Sequence, residues 1–378
     1  MSQYEIISQD LSEQAAGEKQ VGRLRPELAS MFKVGCHKER VRAYLDGKGI
    51  FPITLELDLT SECTRVCPEC PSATAANHHS LNKEFLDRLF GCLEGHTTGL
   101  LLTGGEPTMA PLFPRALQMA RQRGFIDIAV VTNGSLLNSP RVEEALLAYV
   151  TTIRLSMYDW DGGSCEGVEW TLRRIESLRK RIDCEGSRLQ IGISALTSRS
   201  RAGMLGKLSE SVLAAGAHWI YFHPLCTKWG VGCPEPAEQE GILTKINELQ
   251  EKDSGNCHVF TFRSRYEHTP LKFNGYHAAH FLLVIGADGK NYLGPEVKYQ
   301  PHHVIADLGV RWRDDFLLEE QRLVSVNSVN SWTYPAIKSR HRGVLYNHFI
   351  EQLKRGEEPA LTELERASVT DFFFPHIL

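Results

Sequence analysis

Residues 53–70, Ile-Thr-Leu-Glu-Leu-Asp-Leu-Thr-Ser-Glu-Cys-Thr-Arg-Val-Cys-Pro-Glu-Cys, decide how this chain is read. Ile53–Leu59 alternates apolar and polar residues, the period of a β-strand. Directly after it, Cys63, Cys67 and Cys70 form a C-x3-C-x2-C triplet. Three thiolates on one short loop can hold three irons of a cuboidal [4Fe–4S] cluster and leave the fourth iron open to a small-molecule chelator. A zinc site is the alternative and would take a fourth Cys or His, for which His78 and His79 are close at hand. The triplet alone leaves both open.

Outward from this stretch a strand–helix alternation continues. Strands are expected at 99–103, 127–132, 151–157, 188–196 and 218–225. Helices are expected between them at 81–93, 113–123, 141–150, 168–182 and 201–215, the second closed by Gly124 and the last by Gly216. Strands alternating with helices imply right-handed βαβ units and a parallel sheet. The fold class is α/β, a partial (β/α)6 TIM-like barrel, because two further units needed for closure are not found. Chemistry in such folds sits at the strand C-termini. Residues 1–50 read as a helical N-terminal extension, 51–226 as the barrel core and 227–378 as a small α+β C-terminal domain. Within the last, Phe281–Leu293 has the pattern of a hairpin turning at Asp288-Gly289.

Composition excludes several classes. Hydrophobic residues make up 42% of the 378 residues and charged residues 23%, which is neither disordered nor collagenous. The formal net charge of −4 gives no general pull towards nucleic acid or anionic membrane. No run of 18 apolar residues is present, and Met1–Gln14 lacks the basic-then-apolar pattern of a secretion signal. A cytoplasmic protein without a membrane partner is expected. In that setting ten cysteines are not a disulfide framework.

The triplet and a second segment together resemble the radical S-adenosylmethionine (radical SAM) superfamily. That family carries C-x3-C-x2-C after the first strand and GGEP after the second; here Gly104-Gly105-Glu106-Pro107 follows the second expected strand. The resemblance implies that Cys63, Cys67 and Cys70 each ligate one iron, and that Gly104, Gly105, Glu106 and Pro107 hold the methionyl amine of SAM. Backbone edges bared by glycine and a carboxylate suit an ammonium group. Thr132-Asn133-Gly134 resembles the family's TNG segment, so Asn133 is a candidate SAM contact, with Ser156 on the fourth strand and Ile193 on the fifth. Glu69 stands where many members place an aromatic residue near the adenine. The implied activity is reductive cleavage of SAM to a 5′-deoxyadenosyl radical that abstracts hydrogen, with a reducing partner such as flavodoxin or ferredoxin.

His223 at the end of the sixth strand, Lys228 just after it, and Asp159 after the fourth are candidate substrate contacts. The hairpin resembles the skeleton of a SPASM or twitch extension, but no cysteine follows residue 257, and Cys226, Cys233 and Cys257 read as free thiols. One cluster is therefore expected. The preferred substrate is a small polar metabolite (sugar, nucleoside or amino-acid derivative), with a peptide second. Outside the enzyme class, the alternative is a zinc- or cluster-binding interaction module.

Overall fold

The computed structural model describes residues 33–67, 70, 77–158, 165–198, 203–225, 236–253, 258–261, 266, 275–309, 342–357 and 377–378. Among the expected features, residues 1–32 of the N-terminal extension, Glu69, Asp159, Cys226, Lys228, Cys233 and Cys257 lie outside the described residues. Six strands match the alternation read from sequence: β1 (Thr54–Asp58), β2 (Gly99–Thr103), β3 (Asp127–Thr132), β4 (Thr152–Met157), β5 (Gln190–Thr197) and β6 (Trp219–Pro224). They pair in parallel in sequence order, with register partners such as Asp58↔Thr103 and Ser156↔Ser194.

The sheet runs further than six strands at both edges. β7 (Val259–Thr261) adds in parallel to β6. On the other side β8 (Leu282–Ile285) lies parallel to β1, and β9 (Lys290–Tyr292) and β10 (Val304–Asp307) follow antiparallel. Among the described residues the order is β10-β9-β8-β1-β2-β3-β4-β5-β6-β7, an open sheet of ten strands. The expected hairpin forms, with Gly289 at φ +75° in its turn, and its strands continue the central sheet instead of building a separate one.

Helices connect and flank the strands. These are α1 (Lys38–Leu45), α2 (Lys83–Leu93), α3 (Phe113–Gln122), α4 (Pro140–Tyr149), α5 (Cys165–Glu185), α6 (Leu205–Ala214), α7 (Pro236–Lys252), the single turn α8 (Ala278–Phe281) and α9 (Arg342–Lys354). Local chemistry sets their ends. The Asn82 side chain accepts from the Phe85 N–H at 2.8 Å to start α2, and α4 begins with Pro140, whose missing N–H is not needed there. One core cluster joins Leu55, Leu57, Leu100, Leu102, Ile153 and Ile193 of the strands to the apolar stripes of α2–α7. Each such side chain contributes about 1.5–3 kcal/mol on burial.

A second cluster gathers the ends of the described chain. Val41 and Tyr44 of α1 pack with Phe281 of α8 and with Phe349 and Ile350 of α9. Inside it runs a buried polar chain: the Tyr44 hydroxyl meets His277 Nδ1 at 2.7 Å, and His277 Nε2 meets Glu351 Oε1 at 2.7 Å. Burial keeps the His277 imidazole below its usual pKa, so the neutral ring donates to Glu351 and accepts from Tyr44.

Candidate functional site

The cysteine loop is rooted by a small antiparallel bridge between Thr60 and Ser80. Ser61 N–H donates to the His79 carbonyl at 2.9 Å, and His79 N–H returns a bond to Ser61 Oγ at 2.8 Å. The loop is held from its other side by the end of β2. Gly105 N–H donates to Thr60 O at 3.0 Å, and Glu106 N–H to Glu62 O at 2.7 Å.

Only glycine permits this approach. A Cβ on Gly105 would stand 2.0 Å from Glu62 O, and one on Gly104 would stand 2.6 Å from Thr60 O; Gly104 also has φ +113°. The GG pair therefore serves first to press the second strand end against the root of the cysteine loop.

Glu106 is fully buried and N-caps a one-turn 3-10 helix, Pro107–Met109. Its Oε1 accepts from Thr108 N–H (3.2 Å), Thr108 Oγ1 (2.5 Å) and Thr132 Oγ1 (2.7 Å), and Oε2 accepts from Asn133 N–H (2.8 Å). The carboxylate thus welds the ends of β2 and β3, a role not expected from its sequence position. Thr108 and Thr132 were not legible as partners, although Thr132 heads the Thr-Asn-Gly segment.

Asn133 closes the arrangement. Its Nδ2 lies 3.5 Å from Cys63 Sγ and donates to Thr64 Oγ1 at 3.0 Å, while its Oδ1 accepts from Ser135 N–H at 2.9 Å. Thr64 Oγ1 also meets Ser135 Oγ at 2.9 Å. The structure thereby brings together Cys63, Gly104–Glu106 and Asn133. Cys63 is exposed, Cys67 and Cys70 are partly buried, and none of the three is in a disulfide. The donor set suits iron–sulfur chemistry: three thiols on one rooted loop, with the Arg65 N–H (3.4 Å) and the Asn133 amide aimed at the Cys63 sulfur. Among the described residues the side chains as placed form no group of three His, Cys, Asp or Glu that could hold a metal, and that includes any pairing of the triplet with His78 or His79.

The remaining candidates lie further along the sheet. Ser156 is half-buried and level with Ser194. The Ile193 side chain packs into the helix-covered core, which leaves only its backbone to meet a ligand on the other face. On that other face His223 Nε2 lies 2.9 Å from Ser194 Oγ, its ring stacked on Tyr221 (centroids 5.1 Å apart) and edge-on to Tyr158 (5.9 Å). Ser194 and Tyr158 were missed, because a side-chain pair across neighbouring strands needs the register.

Also missed was an ionic cluster under the first two strand ends. Lys298 Nζ donates to Asp58 Oδ1 at 2.7 Å, Thr103 Oγ1 at 3.0 Å and Glu56 Oε1 at 3.3 Å, and Tyr299 OH donates to Asp58 Oδ2 at 2.8 Å. Burial pulls the Lys298 ammonium down, but the charges of Asp58 and Glu56 and their hydrogen bonds outweigh it and raise its pKa overall. Polar Glu56 and Asp58 in a strand buried along its whole length were the available signal. Their partner lies far away in sequence.

The chain shares its fold with solved structures of SuiB from Streptococcus suis. The form bound to S-adenosylmethionine superposes with a TM-score of 0.60 at 14% identity, over 79% of this chain and 73% of that one. The form bound to the precursor peptide SuiA gives a TM-score of 0.60 at 14% identity, over 84% of this chain and 75% of that one. No protein-family model and no curated protein matches the sequence. Among the described residues no helix is long and apolar enough to cross a membrane.

Proposed function

We propose that this chain is a radical SAM enzyme. Cys63, Cys67 and Cys70 would hold a single [4Fe–4S] cluster; Gly104–Pro107, Asn133, Ser156 and the backbone at Ile193 would hold SAM. The observation that carries this reading is the pair of bonds from Gly105 and Glu106 to the Thr60 and Glu62 carbonyls, with Asn133 reaching both segments. Three segments separated in sequence, each matching a family motif, form one contact set at adjacent strand ends. Bound together, cluster and SAM would supply a 5′-deoxyadenosyl radical for hydrogen abstraction, one electron from a flavodoxin- or ferredoxin-like donor breaking the SAM C–S bond and releasing methionine.

The protein's own residues bind and orient. Asn133 offers its amide to the Cys63 sulfur, and Glu106 keeps the β2 and β3 ends at fixed spacing. His223, with Lys228 and Asp159, would face a small polar metabolite. A peptide substrate is the second reading, supported by the fold shared with a protein that binds a precursor peptide.

The test is anaerobic incubation of reconstituted protein with SAM and dithionite, following 5′-deoxyadenosine by mass spectrometry. Formation of 5′-deoxyadenosine with about four irons per chain is expected. One zinc per chain and no sulfide would overturn the reading in favour of a binding module.

A further inference from the structure

Asp58 ends β1 and is fully buried. One side of it is fixed by Lys298 and Tyr299, which follow the β8–β9 hairpin. Its other side touches Gly104, where an added Cβ would stand 2.9 Å from Asp58 Cβ. Thr103, the residue before Gly104, donates to Asp58 Oδ1 at 2.7 Å. The carboxylate therefore ties the segment after the hairpin to the strand end that carries the GGEP residues, and Lys298 reinforces the tie by donating to Thr103 Oγ1 at 3.0 Å.

Two further observations show that this link is built with care. Tyr299 has φ +63°, alone among the described non-glycine residues in having a positive φ. A left-handed residue with a bulky side chain is strained and persists only where its surroundings hold it. Here its hydroxyl accepts from Ala287 N–H at 3.1 Å while donating to Asp58, so the strained turn aims the phenol at the carboxylate. Secondly, Glu56 and Asp58 place two carboxylates against one ammonium in a buried site. Without Lys298 the two buried carboxylates would repel each other with no cation between them, which would loosen Asp58 beside Gly104.

We propose that Lys298 and Tyr299 are positioning residues for SAM, acting through Asp58 on the Gly104 backbone. This rests on the reading of Gly104–Pro107 as the SAM cradle. It makes the segment after the hairpin a determinant of cofactor affinity at a distance from the cysteine loop.

The experiment measures SAM Kd by equilibrium dialysis on anaerobically reconstituted protein, with iron content and urea midpoint read on each sample. Tyr299→Phe keeps the ring and loses the bond to Asp58; its Kd should rise by about tenfold at unchanged iron content, as expected for a hydrogen bond to a charged acceptor. Lys298→Met should raise it further, and where that variant does not fold Tyr299→Phe decides alone. Tyr44→Phe is the control: it deletes a buried phenol bond to His277 Nδ1 (2.7 Å) in the second core cluster, so it should lower stability and leave Kd alone. Wild-type binding with Tyr299→Phe and Lys298→Met within about twofold of it, or an equal rise in Tyr44→Phe, overturns the proposal. Absence of SAM binding in the wild type overturns the functional reading itself, and this inference with it.

Discussion

The Glu106 N–H donates to the Glu62 carbonyl at 2.7 Å, so the second strand end is hydrogen-bonded to the residue immediately before Cys63. The GG pair makes this contact possible and Glu106 completes it from the other side through Thr132 and Asn133. The cysteine loop and the end of β2 are thus one mechanical unit.

Gly105→Ala should break that unit. Its methyl group would fall 2.0 Å from Glu62 O and 2.5 Å from the carbonyl carbon, both backbone atoms with little room to retreat. A loss of about 2–3 kcal/mol in unfolding free energy is expected, with reduced iron incorporation. Gly241→Ala in α7, where nothing lies within 4 Å, should instead stabilise by about 0.5–1 kcal/mol. Equal midpoints for both variants in urea would refute the packing argument.

Glu106→Gln tests the carboxylate. Three donors surround Oε1, so the Gln oxygen settles there and its NH2 is left facing the Asn133 N–H. Two donors opposed in a buried site should cost about 1–3 kcal/mol of stability. SAM affinity should fall by about 30-fold through the shifted strand ends. A variant with wild-type urea midpoint and wild-type SAM Kd would show that the carboxylate does neither job.

Alanine at any one of Cys63, Cys67 or Cys70 should abolish the brown absorbance of the reconstituted protein and all formation of 5′-deoxyadenosine. Alanine at Cys36, Cys92 and Cys184 together should leave iron content unchanged, since those thiols lie away from the loop. A full cluster in Cys67→Ala would mean that another ligand set holds it.

The pH dependence of stability should carry a signature of His218. Burial, then the nearby Arg179 charge, pushes its pKa down to about 4, against 6.5 for the free side chain. Its Nδ1 accepts from Ile191 N–H at 2.9 Å, which requires that nitrogen to be unprotonated. Between pH 6.5 and 4 the unfolded chain binds a proton that the folded chain refuses, so stability falls as pH drops through that window. The urea midpoint should decline from pH 7.5 to pH 5, and less steeply in His218→Gln. His277 and His303, also held below the usual value, account for a remaining slope. Parallel slopes in the two proteins would exclude His218 as a contributor.

Much of this architecture is written in local sequence. Alternation in Ile53–Leu59, apolar runs such as Leu100–Leu102 and the glycines after helices located six strands to within two residues at each end, because strand and helix periods act over neighbouring residues. The cysteine spacing, the GGEP segment and Asn133 could be read in the same way, since each motif lies within one loop. β7 is three residues long, too short for any period to show, and nothing local tells β8 to lie beside β1.

The sequence by itself determined the strand–helix order, the thiol triplet and the glycines that only a close backbone contact requires. Tertiary structure decided what those residues touch. That the Glu106 carboxylate is consumed by Thr108, Thr132 and Asn133, that Ser194 meets His223, and that Lys298 and Tyr299 reach Asp58 all depend on strand register and chain reversal. The reason is physical: hydrogen bonds and ion pairs between distant segments form only where burial of the whole core fixes one register, and no short window of residues contains that information.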